Sequence, residues 1–204
     1  MDTESAEENL EVIRKLMERA SVYRLVASYS AVIGGLFSLS LGVFFYLRSV
    51  PITSLKYFLS WMGVLLVVDC VNTFFLFKDS KKRGDSFPSR RMIHAVFAML
   101  PGFLVGGIVS AVCIFLYRDS VNASIFWAIG AGIGLLGTSS FSPKSIPVLG
   151  WFFLLSGLLY FCWRETIGKF TATDTIGEAG LFMAATFGLG LLIYGLVSFR
   201  KEKS

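Results

Sequence analysis

The chain has 204 residues, of which 54% are hydrophobic and only 16% charged, with a net charge of +5 and a mean hydropathy of +0.67. An average soluble domain carries roughly a quarter charged residues, so too few ionic side chains are present to coat a water-facing globule. Abundant aliphatic and aromatic residues exclude a disordered chain, and three cysteines exclude a disulfide scaffold; what remains is an all-α, polytopic membrane helix bundle.

Residues 1–24 predict a cytoplasmic amphipathic helix ahead of the first span. Leu10, Ile13, Met17, Ala20 and Tyr23 recur at spacings of three and four, the period of one helical face. Glu11 with Lys15 and Arg14 with Glu18 are opposite charges four residues apart, each pair supporting a helix by about 0.2–0.5 kcal/mol. Six acids against four bases make this segment unlike a basic, lipid-seeking helix and unlike the basic start of a signal peptide. Three roles fit its apolar face: capping the bundle, binding a protein partner, or lying on the membrane.

Six apolar runs follow, 25–47, 55–77, 92–117, 125–141, 146–163 and 177–199, with a short tail at 200–204. A bilayer core of about 30 Å needs about 20 helical residues, and none of the runs has the two-residue alternation of a membrane barrel. Six transmembrane helices are therefore expected, joined by turns short enough to make neighbours antiparallel. In the second run stands Asp69, a lone acid well inside a span, with Asn72 three residues on and facing the same side. A charge at mid-span costs roughly 2.5–3.5 kcal/mol on insertion scales, so Asp69 is expected to face protein or water and find a partner. His94, the sole histidine, opens the third run. Asp69, Asn72 and His94 form a candidate intramembrane polar site, read either as a protonatable, cation-binding site or as a hydrogen-bonding clasp between helices, with the clasp favoured.

Glycines recur four apart at Gly102 and Gly106 and again at Gly130 and Gly134, a spacing that lets helix backbones approach closely in lipid. Packing inside the bundle is the expected use. Cys70, Cys113 and Cys162 lie in three different runs and are expected to act as small buried hydrophobes. Asn122-Ala-Ser matches a glycosylation sequon, but it hugs the membrane.

Orientation follows from the cations. Fourteen of the nineteen Lys and Arg residues fall on the side that holds both termini, including six between Lys78 and Arg91. The positive-inside bias puts both termini in the cytoplasm. On the opposite side Tyr46 with Arg48, Tyr117 with Arg118 and Trp163 with Arg164 each end a span, an aromatic ring at headgroup depth followed by a cation.

Catalytic signatures are missing: there is no HExxH, GxSxG, GxxxxGK[ST] or CxxC, and one histidine cannot supply a pair of haem ligands. No enzymatic activity, cofactor or metal is expected, and no basic surface outside the membrane suits nucleic acid. The stretch from Asn9 to Arg24, Asn-Leu-Glu-Val-Ile-Arg-Lys-Leu-Met-Glu-Arg-Ala-Ser-Val-Tyr-Arg, resembles the start of a group of uncharacterised bacterial multi-pass inner-membrane proteins. Ser142-Pro-Lys-Ser-Ile-Pro-Val-Leu-Gly-Trp151 is similar to a segment they carry before a late span. The resemblance covers about an eighth of the chain; it implies a bacterial cytoplasmic membrane and no activity. The expectation is a non-catalytic scaffold or accessory subunit of a membrane complex, in contact with the lipid bilayer and with a protein partner through residues 9–24. The alternative is a small carrier or channel-like component using Asp69 and Asn72.

Overall fold

The computed structural model describes residues 28–48, 51–83, 87–140, 142–166 and 175–203. Among them every regular element is helical: α1 (Ser28–Leu47), α2 (Ser54–Arg83), α3 (Arg90–Phe115), α4 (Ser120–Gly137) and α5 (Ser145–Thr166). After these, α6 (Thr175–Met183), a π-helical stretch (Ala184–Leu189) and α7 (Gly190–Lys203) follow one another without a break. Six helices are long and apolar enough to cross a membrane, the sixth being Ile176–Arg200. The amphipathic segment with Leu10, Ile13, Met17, Ala20 and Tyr23 lies outside the described residues.

Helix ends are set by caps rather than by where apolarity stops. The fourth apolar run opens at Ile125, yet its helix starts five residues earlier at Ser120. Asp119 is the reason: its Oδ1 accepts the free backbone N–H groups of Val121 and Asn122 at 3.1 and 3.0 Å, the usual work of an N-cap aspartate. Arg118 before it adopts a left-handed backbone, φ 53°, which turns the chain sharply from α3 into α4. Ser89 caps α3 in the same way, accepting from Met92 N at 3.3 Å. Helix α2 outruns its apolar stretch, continuing from Phe77 to Arg83, because Lys and Arg are good helix formers wherever solvent can reach them.

Helix α4 is the centre of the bundle. Val121, Ile125 and Ala128 on it are wholly buried. Its glycines make that position tenable. A Cβ on Gly130 would stand 2.5 Å from Gly106 Cα and 2.7 Å from Gly102 O, so α3 and α4 touch backbone to backbone. On another side, a Cβ on Gly132 would meet Leu154 N of α5 at 2.6 Å. The glycine pairs thus serve internal packing, as their spacing suggests. Helix α1 uses the same device against the last span, with Gly42 placed over Gly180 O and Ala184, and Gly35 over Gly188 O and Leu192.

Helix α2 stands apart from this packing. Only 6% of its most apolar stretch is buried, against 56% for α4. Large apolar side chains face outward all round the bundle: Leu66, Phe97, Leu159 and Ile193 are each more than 60% exposed. Such a surface suits a hydrocarbon solvent and would drive association in water.

Candidate functional site

Three polar features stand out against this apolar background, and the first is on α2. Asp69 lies at the middle of the 30-residue helix, about 22 Å from either end at ~1.5 Å per residue. Its side chain is exposed and opens into a shallow groove along α2, beside Leu66, Cys70, Thr73 and Phe77, with Phe87 closing one end. Among the described residues it makes no hydrogen bond and no ion pair. Asn72 turns the other way and accepts a hydrogen bond from Ser30 Oγ of α1 at 3.1 Å. The clasp expected of this pair is therefore made by Asn72 alone, and it joins α1 to α2. Exposed His94 sits one turn into α3, and neither it nor Asn72 lines the Asp69 groove. The three residues singled out in the sequence do not form one site.

The second feature is a cluster of charges where α4 and α6 begin and α5 ends. Arg164 Nη1 donates to Asp119 Oδ2 at 3.0 Å. Arg164 Nε lies 3.6 Å from Glu178 Oε1, which accepts the Tyr160 hydroxyl at 2.8 Å. Asn122 Nδ2 adds a donor to Asp119 Oδ2 at 3.0 Å, so the sequon asparagine is engaged inside the fold. Tyr160 is held between stacked rings, with Trp163 at 5.5 Å and Phe182 at 4.8 Å. One guanidinium thus ties two carboxylates from different helices into a three-helix clamp. Arg164 is 8% exposed and Trp163 46%. The aromatic half of the expected interfacial anchor faces outward, but its cation turns in, because two carboxylates within reach outcompete solvated headgroups. Asp119 and Glu178 were the overlooked signal: both stand at the threshold of apolar runs on the same side as Arg164.

The third feature is internal. A half-open cavity of about 220 Å³ lies between α2 and the other helices. Its walls run from Tyr57 to Val68 on α2 and from Ala123 to Leu135 on α4, a length of about 16–18 Å. Polar groups gather at one end, where the Tyr57 hydroxyl meets Ser124 Oγ at 2.7 Å and Ser110 Oγ donates to Ala123 O at 2.7 Å.

Of the cysteines, Cys113 is buried as expected, whereas Cys70 and Cys162 are exposed on the outer surface, Cys70 in the Asp69 groove. No three His, Cys, Asp or Glu side chains among the described residues converge on a point that could hold a metal ion. No protein family, no curated protein and no solved structure matches the chain.

Proposed function

We propose that this protein is a non-catalytic accessory subunit of a membrane complex, seated in a bacterial cytoplasmic membrane with both termini inside. The chain's partner in this reading is a transmembrane helix of a different protein, and the docking face is the Asp69 groove of α2. Asp69 itself is the observation that carries the proposal. Among the described residues no donor reaches this carboxyl, which lies midway along an outward-facing apolar helix, and in a bilayer the cost of leaving it so is roughly 2.5–3.5 kcal/mol on insertion scales. A helix bringing a lysine, arginine or amide donor to the same depth removes that cost and covers the poorly buried face of α2. A second copy of the chain does not serve. A two-fold axis along the membrane normal brings like residues to like depth, and no span of this chain carries a lysine or arginine at the depth of Asp69 to offer it. The segment 9–24 is a second contact surface in this reading.

The test is site-specific photo-crosslinking in native membranes, with the photoreactive residue at Leu66 in the groove and a control at Leu159 on α5. The expected adduct from Leu66 joins one distinct membrane protein, through a span with a donor side chain near its middle. It disappears in Asp69→Leu, while that variant, freed of an unpaired carboxyl, inserts normally and resists unfolding at least as well as the parent. Adducts only to lipid or to a second copy, or an adduct undiminished in Asp69→Leu, overturn the proposal.

A further inference from the structure

We propose that the cavity behind α2 is a binding site for a neutral, hydroxyl-headed single-chain amphiphile, a long-chain or isoprenoid alcohol. The argument is independent of any partner on the outer face of α2. Close-packed proteins rarely leave voids larger than a water molecule, and a void lowers stability in proportion to its volume. At about 220 Å³ this one is larger than the 150 Å³ engineered cavity that stays dry and takes up benzene. Its walls are almost wholly apolar, so it does not suit water, which needs two to four polar partners. Its walls run some 16 Å along α2, a length that suits a single extended chain. The cavity is half-open, and α2, the wall least buried in the bundle, offers a lateral way in for a molecule arriving from a bilayer.

The head is specified by what remains unbonded at the polar end. Ser124 Oγ donates to Ser120 O at 2.9 Å, so the Tyr57 hydroxyl is the donor in the Tyr57–Ser124 bond. Ser110 has likewise spent its proton on Ala123 O. Acceptor lone pairs on Tyr57 are left over, together with one donor, Trp61 Nε1. That indole is 92% buried, lines the cavity and approaches the Tyr57 hydroxyl without reaching hydrogen-bond geometry. A group that accepts from Trp61 and donates to Tyr57 satisfies both, and a hydroxyl does both at once. A carbonyl or ether only accepts. Among the described residues no lysine, arginine or histidine lines the cavity, so a carboxylate head meets no counter-charge there.

The experiment places the full-length protein in phosphatidylcholine nanodiscs and labels it with a diazirine-bearing hexadecanol, in competition with unlabelled hexadecanol, hexadecyl methyl ether or palmitate. Trp127 and Ala131 of α4 also line the cavity; saturable label is expected on the peptides carrying Trp61 and Trp127. The alcohol should compete about five- to tenfold better than the ether, the value of one hydrogen bond, and better than palmitate. Trp61→Phe removes the donor that alcohol and ether both use and should weaken the two alike. Tyr57→Phe removes the acceptor that only the alcohol uses and should keep chain binding while losing that preference. Ala131→Phe, which fills the slot, should abolish the saturable label; should it fail to fold, the Tyr57→Phe comparison stands on its own. Unsaturable label spread over outward-facing residues, palmitate competing best, or a head-group preference unchanged in Tyr57→Phe overturns the proposal.

Discussion

Replacing Arg164 with methionine tests whether the charge cluster holds α4, α5 and α6 together. The substitution keeps a long apolar stem and removes the cation that sits 3.0 Å from Asp119 and 3.6 Å from Glu178. Breaking a buried ion pair from one side costs about 3–5 kcal/mol, because the remaining charge is left in a poor solvent. Here the lower end applies. Asp119 keeps two backbone N–H donors and Asn122 Nδ2, and Glu178 keeps the Tyr160 hydroxyl. The expected loss is about 3 kcal/mol, a factor of roughly 10² in the unfolding equilibrium, read by tryptophan fluorescence during reversible SDS titration in mixed micelles. A charge mechanism also dictates a change of sign. In an Asp119→Asn, Glu178→Gln background Arg164 becomes a lone buried cation, and the same Arg164→Met change should then be neutral or stabilising. A loss under about 0.5 kcal/mol in the parent, within the range of an inconsequential surface change, would refute the reasoning. So would an equal loss in both backgrounds, which would mean that Arg164 acts through the packing of its stem.

Two further outcomes follow from the packing and the charge distribution. Gly130→Ala places a Cβ 2.5 Å from Gly106 Cα and should cost about 1–3 kcal/mol as α3 and α4 are forced apart; Gly63→Ala on α2 meets nothing within 4 Å and should stabilise by up to about 1 kcal/mol. The same SDS titration compares them, and equal effects at the two positions would undo the close-packing argument. Reporter fusions after Arg83, after Lys144 and at the C-terminus should report the cytoplasm and a fusion near Lys169 the opposite side; an external Arg83 would invert or break the topology.

Much of the architecture was legible because the bilayer imposes a length on apolar runs and a four-residue interval on glycines that meet. Gly102, Gly106, Gly130 and Gly134 show how far that goes: the spacing and its internal use could be read, but not that the two pairs meet each other. Helix ends were less legible, since a cap such as Asp119 lies outside the hydrophobic pattern, and polar residues such as those from Lys78 to Arg83 extend a helix without altering it. The Arg164 cluster escaped because its partners are 45 and 14 positions away, and an arginine at a span's edge has the same sequence signature whether it turns toward headgroups or inward. Asp69 was found, but its direction depends on which neighbour takes each face of α2. Asn72, one turn along, went to α1 and left the acid outside.

The π-helical stretch from Ala184 to Leu189 bears on how freely this chain can change length. Its partner α1 is met at Gly180, Ala184, Gly188 and Leu192, each four residues from the last. In an uninterrupted α-helix of 3.6 residues per turn, every such step overshoots a full revolution by about 40°, so three steps would carry the contact line a third of the way round the helix. The wider π turn absorbs that drift and keeps one stripe of small residues aligned. Deleting a single residue within it would turn the π stretch into plain α-helix and leave Leu192 and Gly195 facing α1, since eleven residues close three revolutions to within about 20°; deleting one from the α-helix on either side would swing them about 100° away. The register of the last span is counted in single residues, even though nothing about its hydrophobicity says so.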